Sequence, residues 1–334
     1  MDQVRVAVVG TGSIAQIIHL PILTRLNEAH LVAICDIDKA KAQHVADRFG
    51  IKRYYTSVEE MIKLEDLQGA IIATPTHVHK STALPLLESG VDILVEKPLA
   101  HILRDAEAIV EAASRLKRKL MVGMNNRFRP DAMILKSFVE GGELGKIFYT
   151  KAGWLKRSAG VSAWFKKKEK AGGGVFLDLG IVMLDLALWM MGYPDPLKVS
   201  ATMYKHTSKD VEDSALAFLR MKNGSTLSIE VSWMFPTGED FFYCDSYGTN
   251  GSAMINPFRI LKTMHENLVN VTPQKIETPQ NMFRRSYENE VKHFLGAIRG
   301  LRPVVSTGEE AVHRMKIVDA IYKSAARGKE ITLK

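Results

Sequence analysis

The chain opens on a run, Val4 to Gly10, that is apolar but for Arg5 and passes directly into Gly10-Thr11-Gly12-Ser13-Ile14-Ala15 and a helix. A strand apolar on both faces belongs in a parallel sheet covered from both sides. Gly10 permits the tight turn, Gly12 lets another group approach the backbone, and Ala15 allows close helix–strand packing. The backbone N–H groups over Thr11, Ser13 and Ile14 then stand at a helix start, where a pyrophosphate is favoured.

Six strands alternate with helices over the first stretch of chain. They run Val4 to Gly10, His30 to Asp36, Arg53 to Tyr55, Gly69 to Ala73, Asp92 to Glu96 and Leu120 to Gly123. Asp38 and Ser57 cap helices, Gly50 ends one, and Pro21 breaks or restarts the first. This alternation predicts a doubly wound parallel sheet, an α/β dinucleotide-binding domain over residues 1–123. The second strand ends at Asp36, the spacing expected of a carboxylate that accepts the adenosine ribose hydroxyls and repels a 2′-phosphate. NAD is therefore the expected cofactor. Lys39 and Lys41 nearby leave NADP possible.

After Asn125 the pattern changes. Lys146 to Lys156 alternates as a half-buried strand, and Gly172-Gly173-Gly174 precedes an apolar helix from Phe176 to Met191. Alternating segments follow at Leu197 to Tyr204, Asp213 to Met221, Ser225 to Phe235 and Phe241 to Ile255, with Asn223-Gly224 as a hairpin turn. Residues 124–334 are expected to form an α+β domain with a large open, mostly antiparallel sheet, one face covered by helices. A free sheet face predicts a homodimer or homotetramer.

Composition narrows the classes. The two cysteines, Cys35 and Cys244, give neither a disulfide framework nor a metal cluster. No metal site is expected, and a reducing cytoplasm is. The start of the chain lacks the features of a secretory signal, and no apolar run nears the roughly 18 residues of a spanning helix. The net charge of +8 is scattered rather than clustered. It would concentrate anionic small ligands, and no nucleic-acid partner is expected.

With these motifs in place, the chain resembles the Gfo/Idh/MocA oxidoreductases over nearly its whole length. The resemblance rests on Gly10 to Ala15, Thr74-Pro75-Thr76-His77-Val78-His79, Val95-Glu96-Lys97-Pro98-Leu99, Asn126-Arg127-Phe128, Gly172-Gly173-Gly174, Asp178-Leu179-Gly180 and Asp185. It implies a Rossmann domain, an open α/β domain that dimerises through its sheet, and hydride transfer between nicotinamide and a carbinol or keto group of a sugar, cyclitol or nucleotide-sugar.

Lys97 and Asp178 are the catalytic candidates. Lys97 follows a parallel strand at its carboxyl end, where an ammonium can polarise a substrate oxygen or shuttle a proton. Pro98 is compatible with a cis bond. Asp178 matches the family's catalytic aspartate. Thr74, Pro75, His77, His79, Glu96, Asn125 and Arg127 are expected at the cofactor. Lys151, Trp154 and Trp164 combine cationic and aromatic groups suited to a sugar face.

One position departs from the family. In Asp178-Leu179-Gly180-Ile181-Val182-Met183-Leu184-Asp185, Val182 stands where the resemblance implies a proton-abstracting histidine. Valine accepts no proton. Either Lys97 with Asp178 carries the proton, or another group such as a tyrosine, His77 or His79 does. The remaining alternatives are an NAD-binding protein without turnover and an NAD-dependent glycosidase.

Overall fold

The computed structural model describes residues 3–160, 166–274 and 279–333. The chain forms two compact units. The first comprises residues 1–125 and 283–313, the second 126–282 and 314–334. The linear division at 123/124 does not anticipate the return of residues 283–313 to the first unit.

In the first unit, β1 (Val4–Val9), β2 (Ala29–Cys35), β3 (Tyr54–Tyr55), β4 (Gly69–Ile72), β5 (Asp92–Glu96) and β6 (Leu120–Gly123) form one sheet in the order β3-β2-β1-β4-β5-β6. Every pairing is parallel. Helices α1 (Leu20–Leu23), α2 (Lys39–Phe49), α3 (Val58–Leu64), α4 (His79–Glu88) and α5 (Leu103–Arg115) connect the strands. Asp38 and Ser57 cap α2 and α3, accepting from Lys41 and Glu60 N–H. The helix after the glycine loop passes through a π turn, Ala15–His19, just before Pro21. A proline lacks the donor for a regular helical bond, and a π turn takes up that mismatch.

The later segment completes this unit. Val122 N–H donates to Ser306 O, and Met121 bridges Thr307. A Cβ on Gly69 would lie 2.5 Å from the Ile298 side chain, so that glycine lets residues 294–298 pack on β4.

The second unit is built on a nine-stranded sheet in the order β14-β13-β12-β11-β7-β10-β9-β8-β15. Its strands are β7 (Ile147–Leu155), β8 (Pro196–Tyr204), β9 (Ser214–Met221), β10 (Thr226–Ser232), β11 (Phe241–Gly248), β12 (Gly251–Ile255), β13 (Arg259–Met264), β14 (Asn267–Asn270) and β15 (Ile331–Thr332). Only β7 and β10 pair in parallel. The stretch Phe241 to Ile255, expected as one segment, is a hairpin that reverses at Thr249-Asn250.

Helices α6 (Pro130–Glu140), α7 (Lys168–Ala171) and α8 (Ile181–Met190) belong to this unit. The unit boundaries at 282/283 and 313/314 fall inside α9 (Pro279–Ile298) and α10 (Gly308–Arg327). Apart from Asp185, α8 is apolar on every side and is buried except at Trp189, packed against β7, β10 and β11. Among the described residues no helix covers the other sheet face. Along β9, Ala215, Ala217 and Leu219 are buried while Leu216, Phe218 and Arg220 are exposed. Among the described residues no helix is long and apolar enough to cross a membrane.

Candidate active site

The first unit gathers its polar candidates at the carboxyl ends of β1, β2, β4 and β5, the edge where open parallel sheets take ligands. Gly10 has φ of +91°, and a Cβ there would stand 2.6 Å from Ala73 O. Glycine is therefore required by the turn itself. Gly12 is different: among the described residues, its chain neighbours aside, no atom lies within 4 Å of a Cβ built on it. The space above it stays clear, as a close-approaching pyrophosphate requires. Ser13 is exposed and Ile14 half-buried on the first helical turn.

Asp36 ends β2 and reaches back to this loop. Its Oδ2 accepts Thr11 N–H at 2.8 Å, the Thr11 hydroxyl at 2.7 Å and Lys41 Nζ at 3.0 Å, while Oδ1 accepts Asp38 N–H at 3.1 Å. Burial works to raise the Asp36 carboxyl, but the Thr11 bonds, with Asp38 and Lys41, outweigh it and hold it below the usual range. An anionic Asp36 fits the role of ribose acceptor.

Lys97 follows β5 directly, and the Lys97–Pro98 peptide is cis. Glu96 accepts from His19 Nε2 at 2.7 Å. Burial pushes the Glu96 carboxyl up, yet the His19 bond and charge, followed by the charges of Lys97 and His79, bring it below the usual range.

His79 is buried, with Nε2 2.9 Å from Thr74 O and Nδ1 3.0 Å from Pro98 O. Desolvation pulls its pKa down, partly offset by those carbonyls. Each ring nitrogen faces a backbone carbonyl and a neutral ring donates to one of them, so His79 braces the turn that carries Lys97. Thr74 Oγ1 is buried without a hydrogen-bond partner among the described residues. Pro75 and His77 are exposed beside it. Asn125 Nδ2 donates to Ser286 Oγ at 3.0 Å.

Arg127 takes a different place. It is 2% exposed and belongs to the second unit. Its Nε and Nη2 bond the Asp185 carboxylate at 2.9 and 2.6 Å, and Nη2 also donates to the Tyr193 hydroxyl. Arg314 Nη1 reaches the same carboxylate at 2.6 Å. Burial would raise the Asp185 carboxyl, but the two guanidinium charges bring it below the usual range. Arg127 and Asp185 therefore form a structural knot rather than a cofactor contact.

In the second unit, Asp178 sits in a π turn, Phe176–Gly180, that runs straight into α8. Its Oδ2 accepts the Trp233 indole N–H at 3.0 Å. Val182, one turn on, is 4% exposed among the apolar side chains of α8.

Lys151 and Trp154, three residues apart on β7, point to opposite sheet faces because strand side chains alternate. Lys151 lies on the uncovered face, 3.4 Å from Asp245 and over the Tyr243 ring. α8 and the turn that carries Asp178 cover the other face. Trp154 stands on that covered side, edge-on to Phe242 with Lys156 over its ring. The two do not line one pocket. Trp164 lies outside the described residues. Among the described residues no three His, Cys, Asp or Glu side chains group to hold a metal ion.

His19, Trp233 and Glu212 were not read from the sequence. Each meets its partner through tertiary contact, so no local spacing announces it.

Comparison with known proteins agrees with this architecture. Residues 4–124 match the model of an oxidoreductase family's NAD-binding Rossmann fold, and residues 136–333 match the C-terminal alpha/beta domain of the same Gfo/Idh/MocA group. The D-glucoside 3-dehydrogenase of Escherichia coli (strain K12) is 28% identical over 98% of this chain and 97% of its own length. The scyllo-inositol 2-dehydrogenase (NAD(+)) of Bacillus subtilis (strain 168) is 27% identical over 99% and 96%. A levoglucosan dehydrogenase, solved in complex with NADH and L-sorbose, shares the fold with a TM-score of 0.89 at 22% identity, covering 100% of both chains.

Proposed function

Because the chain belongs to the Gfo/Idh/MocA oxidoreductase family, with that family's NAD-binding Rossmann fold, we propose that it oxidises a secondary hydroxyl of a sugar or cyclitol. One observation carries the reading. The phosphate loop, Asp36 and Lys97 all stand at the carboxyl ends of parallel strands in one sheet. The named substrates of the two dehydrogenase relatives, a glucoside and an inositol, support the polyol class.

The cofactor site is built from Gly10 to Ile14, Asp36, Thr74, Pro75, His77 and Glu96. NAD, when bound there, supplies the hydride acceptor. The chain's own residues handle the hydroxyl proton. Lys97 polarises the alcohol oxygen through its ammonium. In the second unit Asp178, held by Trp233, is the group available to accept a proton, since Val182 cannot.

The test is absorbance at 340 nm with NAD and a panel of glucosides, inositols, aldoses and nucleotide-sugars. NADH formation on at least one is expected, and silence across the panel overturns the reading. NAD binding without turnover would instead favour the reading that Val182 marks lost chemistry.

The uncovered sheet face suits a second copy of the chain. Leu216, Phe218 and Tyr204 are 47%, 44% and 45% exposed there, beside a groove of about 630 Å³ whose floor carries Lys151, Glu230 and Tyr243. Sedimentation should give a dimer or tetramer, and Phe218→Asp should shift it toward monomer. The two cysteines are buried and unbridged, which suits a reducing, cytoplasmic compartment.

A further inference from the structure

The start of the helix that carries Asp178 has no cap of its own. The residue before its π turn, Val175, is apolar and has helical dihedrals. The first N–H groups of a helix lack intrahelical partners and must be met from elsewhere. Three consecutive ones converge on a single residue distant in sequence. Glu212 Oε1 accepts Gly174 N–H at 2.9 Å and Phe176 N–H at 3.1 Å, and Glu212 O accepts Val175 N–H at 2.9 Å. Glu212 is 4% exposed. The same Oε1 accepts the Tyr322 hydroxyl at 2.6 Å. Burial and the neighbouring carboxylate push the Tyr322 phenol well up, which keeps it a donor.

The glycines of the triplet are explained by this contact. A Cβ on Gly174 would run into Glu212 O, and one on Gly173 into the Tyr322 hydroxyl. Gly173-Gly174 thus admits Glu212 to the helix start.

The neighbour of Glu212 fixes the other side of Asp178. Asp213 O accepts Trp233 N–H at 2.9 Å, and the Trp233 indole donates to Asp178 Oδ2. The Asp213 carboxylate collects the N–H groups of His206, Thr207 and Ser208, at 2.8, 2.5 and 3.2 Å. The pair 212–213 therefore holds both the turn bearing Asp178 and the indole that grips it.

We propose that Glu212 is a positioning residue for Asp178, acting through the helix start it caps and, by way of Asp213, through Trp233. Its catalytic consequence rests on the reading that Asp178 handles the substrate proton. The placement itself does not, and the two are tested separately.

The chain has four tryptophans, so a ¹⁵N–¹H correlation spectrum carries four indole peaks. Trp233→Phe identifies the Trp233 peak, and Asp178→Asn shows how far it moves when the carboxylate is lost. Glu212→Ala should move that peak in the same direction, leave NAD affinity unchanged, and lower kcat about 10²-fold with KM for NAD unaltered. Glu212→Gln, which keeps an acceptor at Oε1, should restore most of both. If Glu212→Ala does not fold, Glu212→Asp, which withdraws the carboxylate by one methylene, is expected to give the same peak shift and loss of kcat.

A folded Glu212→Ala or Glu212→Asp with the Trp233 peak at its native position overturns the proposal. A wild-type chain without turnover defeats the functional reading alone, because the indole peaks still decide the placement.

Discussion

His19 Nε2 lies 2.7 Å from Glu96 Oε1, which joins the π turn after the phosphate loop to the last residue of β5. His19 is wholly buried, and the Tyr287 ring meets it edge-on at 6.2 Å. Glu96 directly precedes Lys97, so this bond steadies the residue next to the candidate catalytic lysine.

His19→Ala leaves a mostly buried carboxylate without its partner. Such losses cost about 3–5 kcal/mol when the remaining charge stays buried. Urea unfolding should show a large drop for His19→Ala, and the double variant with Glu96→Gln should lose less than the two single losses added. Strict additivity would show that the pair is not coupled.

Gly10→Ala and Gly12→Ala should separate folding from binding. The first forces a side chain into positive φ and against Ala73 O, a strain of about 1–3 kcal/mol that lowers the melting temperature. The second meets no atom of the described residues beyond its chain neighbours, so its melting temperature should match wild type. Its methyl fills the cleared space, and NAD affinity measured by calorimetry should fall at least about tenfold, or 1.4 kcal/mol.

Lys97→Ala and Asp178→Asn should each reduce kcat by about 10²–10⁴-fold, the range for a lost acid–base group. Lys97 is in the unit that carries the dinucleotide fold and Asp178 is not, so Asp178→Asn should bind NAD as wild type does. A turnover assay beside NAD calorimetry reads both. An Asp178→Asn chain with native kcat would remove Asp178 from the chemistry.

Acid should weaken the second unit through Asp185. Its folded pKa lies below the unfolded value of about 3.9, so the unfolded chain takes up a proton at higher pH than the folded one. The stabilisation is full above about pH 4 and is lost as the pH falls toward the folded value. Asp185→Asn should be destabilised by about 3–5 kcal/mol at neutral pH, because it breaks a buried carboxylate shared by Arg127 and Arg314. Its unfolding midpoint should also depend less on acid than that of wild type.

The parts of the site that could be read from the sequence are those whose meaning is local. Gly10, Gly12 and Asp36 sit at fixed offsets along one βα unit, and the strand–helix alternation specified the sheet. Lys151 could not be placed, because a strand pattern shows that faces alternate but not which face the helices cover. Arg127 follows β6 and looked available to a ligand; only the fold brings Asp185 and Tyr193 to it. Trp233 and Glu212 reach Asp178 and its helix start from 55 and 38 residues away in sequence. The hairpin within Phe241 to Ile255 did carry a signal, since Asn250-Gly251 is a turn pair.

Because residues 283–313 belong to the first unit, that unit is not finished when its sixth strand leaves the ribosome. Val122 still lacks Ser306, and Lys119 Nζ has yet to meet Ile298 O. At about 5–20 residues per second, some 10–40 s of synthesis separate residue 125 from residue 313. The nascent dinucleotide-binding sheet spends that interval with one flank unpacked, and a fragment cut at residue 125 would keep it so.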